Sequence, residues 1–411
     1  MNEIVSGADV TDMPRRTLLG SLPICLDGRL LDNDFTGVGH YANRLAQMLA
    51  LGGADLWRLD SLPTLSGDVG RLGRLHRYAR AMQPGVRRLE RVQFAGETQF
   101  AARLTGRDLF REAYLYFKFY GRLLRLRSPG PSGIMHWTYP LPLYLEGWRN
   151  IYTVHDVIPI TRPDLSPVRG RRLAALLQAI AKNADRLVTV SEAAKRDIVE
   201  YLDCPPDMVV SCHQVTDLDV GMDSARLSPS GPFLYCGAIE PRKNLVRLCR
   251  AYGASGSSRP LIIVGQDGWR AAEVRSEIGD IAGVQFRDFL PRDELVELIR
   301  GARALLFPSL AEGFGLPVAE AMALGVPVMT ADIPALREVS GHAALFVDPL
   351  DVAAIAHAIG RLDSDLHLCR ELSQRGLEQA VAYQAPAYLQ RLQKLYAEVA
   401  GVPRKAVVGR K

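Results

Sequence analysis

No stretch of the chain stays apolar for the roughly 18 to 20 residues that a membrane-spanning helix needs, so a helical span is not expected to organise it. It also lacks any C-x-x-C pair. Its six cysteines (Cys25, Cys204, Cys212, Cys236, Cys249 and Cys369) are scattered singly. That pattern excludes a zinc ribbon or a dense disulfide framework and points to reduced thiols in the cytosol. Behind the Arg15-Arg16 pair, TLLGSLPICL is broken by glycine and proline, so the start does not read as a secretion signal. Repeats of 20 to 50 residues are absent, as is any recognition motif for nucleic acid, so no nucleic-acid partner is expected.

Acid is scarce in one region. Between positions 70 and 127 fourteen arginines and lysines face four acids, although the whole chain carries a net charge of only +5. Arg71, Arg74 and Arg77 open this stretch, and leucines and aromatics are interleaved in RLGRLHRYAR and FREAYLYFKFYGRLLRLR. The pattern suits an anionic membrane surface or a phosphorylated acceptor. A solvated arginine-rich helix face is the plainer alternative.

What is present is the composition of a folded globular chain, 48% hydrophobic and 23% charged, and 411 residues are enough for two domains. In the first half, strand candidates PICLDGRLL, IMHWTYP, NIYTVHDVIPI and RLVTVS alternate with helical stretches HYANRLAQMLA, RRLAALLQAIAKNA and SEAAKRDIVEYL. Ser191 is placed to cap the last of these helices. Gly, Ser and Pro thicken in DVGMDSARLSPSGP, which reads as a linker. A second alternation follows, from PFLYCGAIE through PLIIVGQD, VQFRDFL and DELVELIRGA to ALLFPSL. The reading is an α/β protein with two Rossmann-like domains facing a central cleft.

Four stretches carry candidate chemistry. In EGFGLPVAE a glycine turn of Gly313, Phe314, Gly315 and Leu316 separates Glu312 from Glu320. Amides at such a strand-to-helix turn suit a phosphate or sugar oxygen, and a carboxylate there can accept two hydroxyls. Alternatively Glu312 complements the helix dipole and Glu320 lies on the helix surface. In GAIEPRKNL, Gly237 ends a strand, and Arg242 and Lys243 place two cations where a diphosphate would need them. An exposed basic turn paired with Glu240 is the bland counterpart. The run Gly37-Val38-Gly39-His40-Tyr41-Ala42, with Asp60 downstream, fits the dinucleotide pattern G-x-G-x-x-G/A and would imply an NAD-dependent oxidoreductase. DGRLLDNDFT separates the strand from those glycines, which favours a loop closing over the cleft instead. Finally, His155-Asp156 ends NIYTVHD, where His155 suits a sugar hydroxyl and Asp156 an acceptor; a satisfied loop histidine is the alternative. The D-x-D pairs at Asp32/Asp34, Asp217/Asp219 and Asp363/Asp365 are read as loop aspartates, so no metal site is expected.

In order and spacing these motifs resemble glycosyltransferase family 4, the retaining nucleotide-sugar transferases of the GT-B fold and their mannosyltransferase-like members. GAIEPRKNL, FPSLAEGFGLPVAEAMALGVPVMT and ALREVSGHAALFVDP carry the resemblance most strongly, and VTVSEAAKRDI adds to it. The resemblance implies an acceptor-side domain over 1–228, a donor domain over 229–385, and a final helix with basic tail over 386–411 crossing back to the first. It implies that Glu312 holds the transferred sugar, helped by the Phe314–Leu316 amides, and that Glu320 holds the ribose. Arg242 and Lys243 would bind the diphosphate, Gly37, Val38 and Gly39 would contact phosphates from the opposite domain, and His155 would contact the sugar. Many members carry an arginine where this chain has Ala238, which shifts the burden to Arg242. No metal or other cofactor is implied. The expected function is transfer of a hexose, with GDP-mannose as donor or a UDP-sugar as the alternative. The expected acceptor is a lipid-linked saccharide or polysaccharide at the inner face of the cytoplasmic membrane, in cell-surface polysaccharide biosynthesis.

Overall fold

A computed structural model describes residues 22–31, 36–63, 71–93, 99–216, 218 and 227–401. Two parallel sheets organise the chain. The first has eight strands in the spatial order Val209–Ser211, Arg186–Thr189, Arg149–Thr153, Ile134–Trp137, Ile24–Asp27, Leu56–Leu62, Ala102–Arg107 and Glu90–Gln93. Among the described residues only Glu90–Gln93, at the edge, runs antiparallel to its neighbour within this sheet. The second has six strands, all parallel: Val284–Arg287, Leu261–Val264, Phe233–Cys236, Ala304–Phe307, Val328–Ala331 and Ala344–Val347. In chain order within that half the sequence is 3-2-1-4-5-6, the order of a doubly wound nucleotide-binding fold.

Local sequence explains this architecture. Strands FLYC, LIIV, ALLF and VMTA are buried along their whole length. Continuous rather than alternating burial is what a sheet covered by helices on both faces requires. Ser191 caps the helix Glu192–Leu202 as its position implied, its Oγ accepting from Ala194 N at 2.9 Å. One expectation is corrected: the strand in NIYTVHDVIPI stops at Thr153, and Ile158–Thr161 is a short helix. Pro159 near its start has the fixed φ that a first helical turn needs and no donor to offer a sheet.

Helix Gly37–Leu51 also starts three residues earlier than HYANRLAQMLA implied, because Thr36 Oγ1 accepts from Gly39 N at 3.1 Å and caps it. The final helix, Ala385–Gly401, packs against Gly37–Leu51 and the strand Ile134–Trp137 of the first half. Tyr396 Oη lies 2.6 Å from Nδ1 of His136, and both residues are buried. A second tie between the halves is the backbone bond from Thr216 N to Tyr383 O at 2.8 Å. Most of the linker, residue 217 and residues 219–226, lies outside the described residues, as do Asp32, Asp34 and the tail from 402.

Tyr396→Phe leaves a buried imidazole nitrogen without its partner, a loss of about 1–3 kcal/mol. Urea denaturation is expected to show a lower midpoint for this variant. An unchanged midpoint would mean that the hydroxyl does not anchor the crossing helix.

Candidate active site

The two loops richest in candidate chemistry leave adjacent strands. Phe233–Cys236 and Ala304–Phe307 are neighbours at the centre of the second sheet, where the strand order reverses. Loops at the carboxyl ends of two such strands diverge to opposite faces and leave a crevice between them. From the first strand the chain passes through Gly237 into a short 3-10 turn, Pro241–Lys243. Asn244 then takes φ 61°, and its side chain donates to Pro308 O at 2.9 Å and Pro349 O at 2.7 Å. Those bonds fasten the cationic turn to the loop that carries Glu312.

The result is a buried charge cluster. Glu312 Oε1 accepts from Lys243 Nζ at 2.5 Å, and Oε2 from Arg242 at 2.8 Å. Arg242 also binds Glu240 at 2.7 Å and donates to Ala311 O at 2.9 Å. Side-chain exposure is 8% for Glu312 and 11% for Lys243, so the attraction is poorly screened. Burial works to raise the Glu312 carboxyl, but Arg242 and Lys243 outweigh it and hold its pKa down to about 2. Burial lowers the Lys243 ammonium, with Glu312 opposing that shift. The structure thus brings Arg242, Lys243 and Glu312 together, with the two cations bound to the carboxylate itself.

The glycine turn fits against the first domain. A Cβ on Gly313 would lie 2.9 Å from His155 O and 3.2 Å from Asp156 Cβ, closer than a side chain tolerates. Gly313 O accepts from Ser191 Oγ at 2.6 Å. Gly315 has φ 109°, and a Cβ there would reach 2.5 Å from a Leu336 methyl. The Phe314 ring turns away from the cleft into an aromatic cluster, edge-on to Tyr383 at 5.4 Å and 6.1 Å from His213. Only the backbone of this residue therefore remains for a ligand.

Across the turn, His155 packs edge-on to Tyr41 at 4.7 Å and donates through Nε2 to Thr138 O at 3.4 Å. Burial pushes its imidazole down to about 4, so the ring is neutral near pH 7. Burial raises the Asp156 carboxyl and the charge of Arg242 partly offsets this, which places Asp156 within electrostatic reach of the cluster. Gly37, Val38 and Gly39 form the first turn of the helix that carries Tyr41. Asp60 is taken up by Arg58 at 2.7 Å and Arg103 at 2.8 Å, an occupied environment for an acid that would have to hold a dinucleotide ribose.

Some contacts are not deducible from the chain. Glu320, one turn inside the helix Leu316–Ala323, is 4% exposed rather than a surface residue, and it bonds Arg292 at 2.6 Å. Arg292 opens the helix Arg292–Arg300, where a cation runs against the dipole and no motif marks it. The carboxylate of Glu338, from the second domain, accepts from the amides of Glu192 at 2.6 Å and Ala193 at 2.7 Å and from His213 Nε2 at 2.6 Å. It caps a helix of the first domain, a favourable place for a negative charge. Asp363 pairs with Arg259 at 2.5 Å and Asp365 caps Leu366–Ala380, so this D-x-D pair is structural. Among the described residues no three or more His, Cys, Asp or Glu are placed to hold a metal ion.

Because the folded pKa of Glu312 lies below the ordinary carboxylate value of 4.5, its ion pairs stabilise fully above that value and are lost as pH falls towards about 2. Glu312→Gln is therefore expected to be less stable than the parent at pH 7, with the gap closing near pH 2.5 in chemical denaturation. A gap that stays constant across this range would contradict the depressed carboxyl.

Residues 228–379 match the family described as "Glycosyl transferases group 1", and residues 70–220 match "Glycosyltransferase Family 4". Over 260 residues the chain is 34% identical to the O-antigen chain mannosyltransferase B of Escherichia coli, covering 58% of this chain and 67% of that one. It is 31% identical over 215 residues to the O-antigen chain mannosyltransferase RfbU of Salmonella typhimurium, covering 51% and 60% of the two chains. A 29% identical match to the longer serotype-specific mannosyltransferase WbdA of Escherichia coli covers 51% of this chain but only 29% of that protein. Among solved structures, sucrose-phosphate synthase from Thermosynechococcus elongatus superposes with a TM-score of 0.66 at 18% identity, covering 92% of this chain and 99% of that one. Anabaena Alr3699/HepE, solved with UDP-glucose, gives 0.62 at 13% identity over 92% and 100% of the chains. With both family matches lying on the two sheets just described, the chain belongs to glycosyltransferase family 4 and has the GT-B fold.

Proposed function

We propose that the protein is a retaining transferase that moves a hexose from a nucleotide sugar, GDP-mannose first, to a lipid-linked saccharide or polysaccharide acceptor. In this reading it works without a metal, at the inner face of the cytoplasmic membrane, in cell-surface polysaccharide synthesis. The observation that carries the reading is the cluster of Arg242, Lys243 and Glu312 at the strand-order reversal, opposite His155 and Asp156. The mannosyltransferase relatives favour mannose.

The charge balance supplies a mechanism. A buried carboxylate shared by two cations is a stored arrangement, since removing either partner leaves an uncompensated charge worth about 3–5 kcal/mol. An entering diphosphate offers Arg242 and Lys243 a more highly charged partner and frees Glu312 to accept hydroxyls of the transferred sugar. Both cations then stabilise the negative charge that grows on the departing diphosphate, an effect stronger in the transition state than in the ground state. Arg242 supplies the charge that Ala238 cannot. Amides at Gly37 and Val38 contact the phosphates, with the helix dipole behind them, while the Gly39 amide is held by Thr36 Oγ1 and steadies that turn. Amides of the Phe314–Leu316 turn assist the sugar, and Glu320, steadied by Arg292, faces the ribose.

Neutral His155, its Nε2–H directed at Thr138 O, accepts from a sugar hydroxyl through Nδ1. The acceptor oxygen bonds to the anomeric carbon on the face that the diphosphate leaves, the bond from that carbon to the phosphate oxygen breaks, and the proton passes to the departing phosphate oxygen. Asp156 orients the acceptor, and no protein base is needed. A UDP-sugar donor is the second reading, favoured by the UDP-glucose complex of the HepE neighbour.

Lys243→Ala and Glu312→Ala are each expected to lower turnover at least a hundredfold. Thermal unfolding with GDP, UDP, ADP and NAD at equal concentration is expected to show a shift with GDP that Lys243→Ala abolishes. A shift with UDP alone would change the donor, and a shift with NAD alone would overturn the transferase reading.

A further inference from the structure

A groove of about 1530 Å³ opens on the first domain, lined by the helices Leu109–Tyr120 and Gly170–Asn183 and by residues of the short strands between them. Its lining divides by chemistry. Lys118, Arg122, Arg169, Arg171, Arg172 and Lys182 supply positive charge, and among the described residues none of them meets a carboxylate at ion-pair distance. Phe117, Leu123, Tyr144, Leu173 and Leu176 supply apolar surface. No Asp or Glu lines the groove among the described residues.

The cations upstream behave otherwise. Arg77 pairs with Asp108, and Arg80 and Arg87 both bind Glu112, at 2.7 and 2.6 Å. Each of those three arginines has a carboxylate partner, while the side chains of Arg71 and Arg74 lie outside the described residues. Of the groove-lining cations only Arg125 meets an acid among the described residues, Glu146 at 3.5 Å, which leaves the six named above in excess. Arg169, Arg171 and Arg172 also crowd the first turn of Gly170–Asn183, where acids would be favoured and none is present. An arrangement unfavourable to the free protein by both rules calls for an anion.

Part of the groove lining lies beside the candidate active site. Tyr139 and Tyr114 line it, and Arg29 joins them, donating to Tyr114 Oη at 2.6 Å with its guanidinium 5.7 Å from the Tyr139 ring. Thr138, next in the chain, offers the carbonyl that His155 binds. We infer that this groove seats the lipid-diphosphate part of the acceptor. The diphosphate lies on the unpaired cations, the hydrocarbon chain on the apolar floor, and the saccharide is directed past Tyr139 to the cleft. A free phosphate would leave the floor unused, and a hydrocarbon alone would leave the cations unpaired. The inference rests on the acceptor half of the function proposed above.

Farnesyl diphosphate serves as the probe, titrated calorimetrically into the full chain beside inorganic pyrophosphate and farnesol, with phosphatidylglycerol vesicles in a separate sedimentation assay. The variant combines Arg169→Glu, Arg171→Glu and Arg172→Glu, exposed positions in a helix turn that tolerates acids. Saturable binding of farnesyl diphosphate, at least tenfold tighter than pyrophosphate or farnesol and weakened at least tenfold in the variant, is the expected result. Pyrophosphate binding as tightly would reduce the groove to a phosphate site and overturn the inference. Vesicle binding lost in the variant without saturable farnesyl diphosphate binding would make it a membrane-contact surface and overturn it too. The GDP thermal shift separates the two levels, and the variant is expected to keep it because its substitutions lie away from the donor cluster. If GDP shifts the parent protein while farnesyl diphosphate fails to bind that parent, only the groove is wrong, whereas absence of any nucleotide shift in the parent protein would count against the transferase itself.

Discussion

One carboxylate between two cations organises the cleft. Glu312 is buried, so its charge is tolerable only because Lys243 and Arg242 sit within 2.8 Å of it. That requirement fixes the relation between two loops almost seventy residues apart in the chain. It places the 3-10 turn after the first strand of the second sheet against the glycine turn after the fourth. Asn244 in its left-handed conformation makes the arrangement rigid from the other side. The same electrostatics that hold the empty site together make it responsive, because a ligand carrying more negative charge than one carboxylate competes for both cations.

The second constraint is steric and lies between the domains. With Gly313 seated on the backbone of His155 and Asp156, donor-side and acceptor-side residues share one small volume. Ser191 and Glu338 reinforce that contact. Ser191 caps its own helix and donates to Gly313 O, and Glu338 adds a carboxylate from the partner domain at the same helix end. Movement of the domains would strain these bonds together, so the site geometry and the domain arrangement are coupled through one helix terminus.

Much of this was legible in the chain. Continuous apolar runs such as LIIV and ALLF announced strands covered on both faces, and the motifs GAIEPRKNL and EGFGLPVAE marked the two loops that meet. The spacing of Glu312 and Glu320 did not disclose that one pairs with two cations and the other with Arg292, since both partners come from separate elements. Glu338 capping a helix 146 residues earlier is likewise a tertiary fact with no local signature. Helical periodicity could not tell the arginines that pair with Asp108 and Glu112 from Arg169, Arg171 and Arg172 at the groove. The difference depends on which helices the fold sets side by side. VIPI misled for a local reason: its β-branched residues favour a strand, while Pro159 suits a helix start.

The most direct measurement is calorimetric affinity for GDP against GMP, in the parent protein and in Lys243→Ala. If Arg242 and Lys243 hold a diphosphate, GDP binds at least tenfold more tightly than GMP and the variant loses that preference while keeping the weaker GMP affinity. Equal affinities in the parent protein, or a preference that survives in Lys243→Ala, would contradict the assignment of this cluster as the diphosphate site.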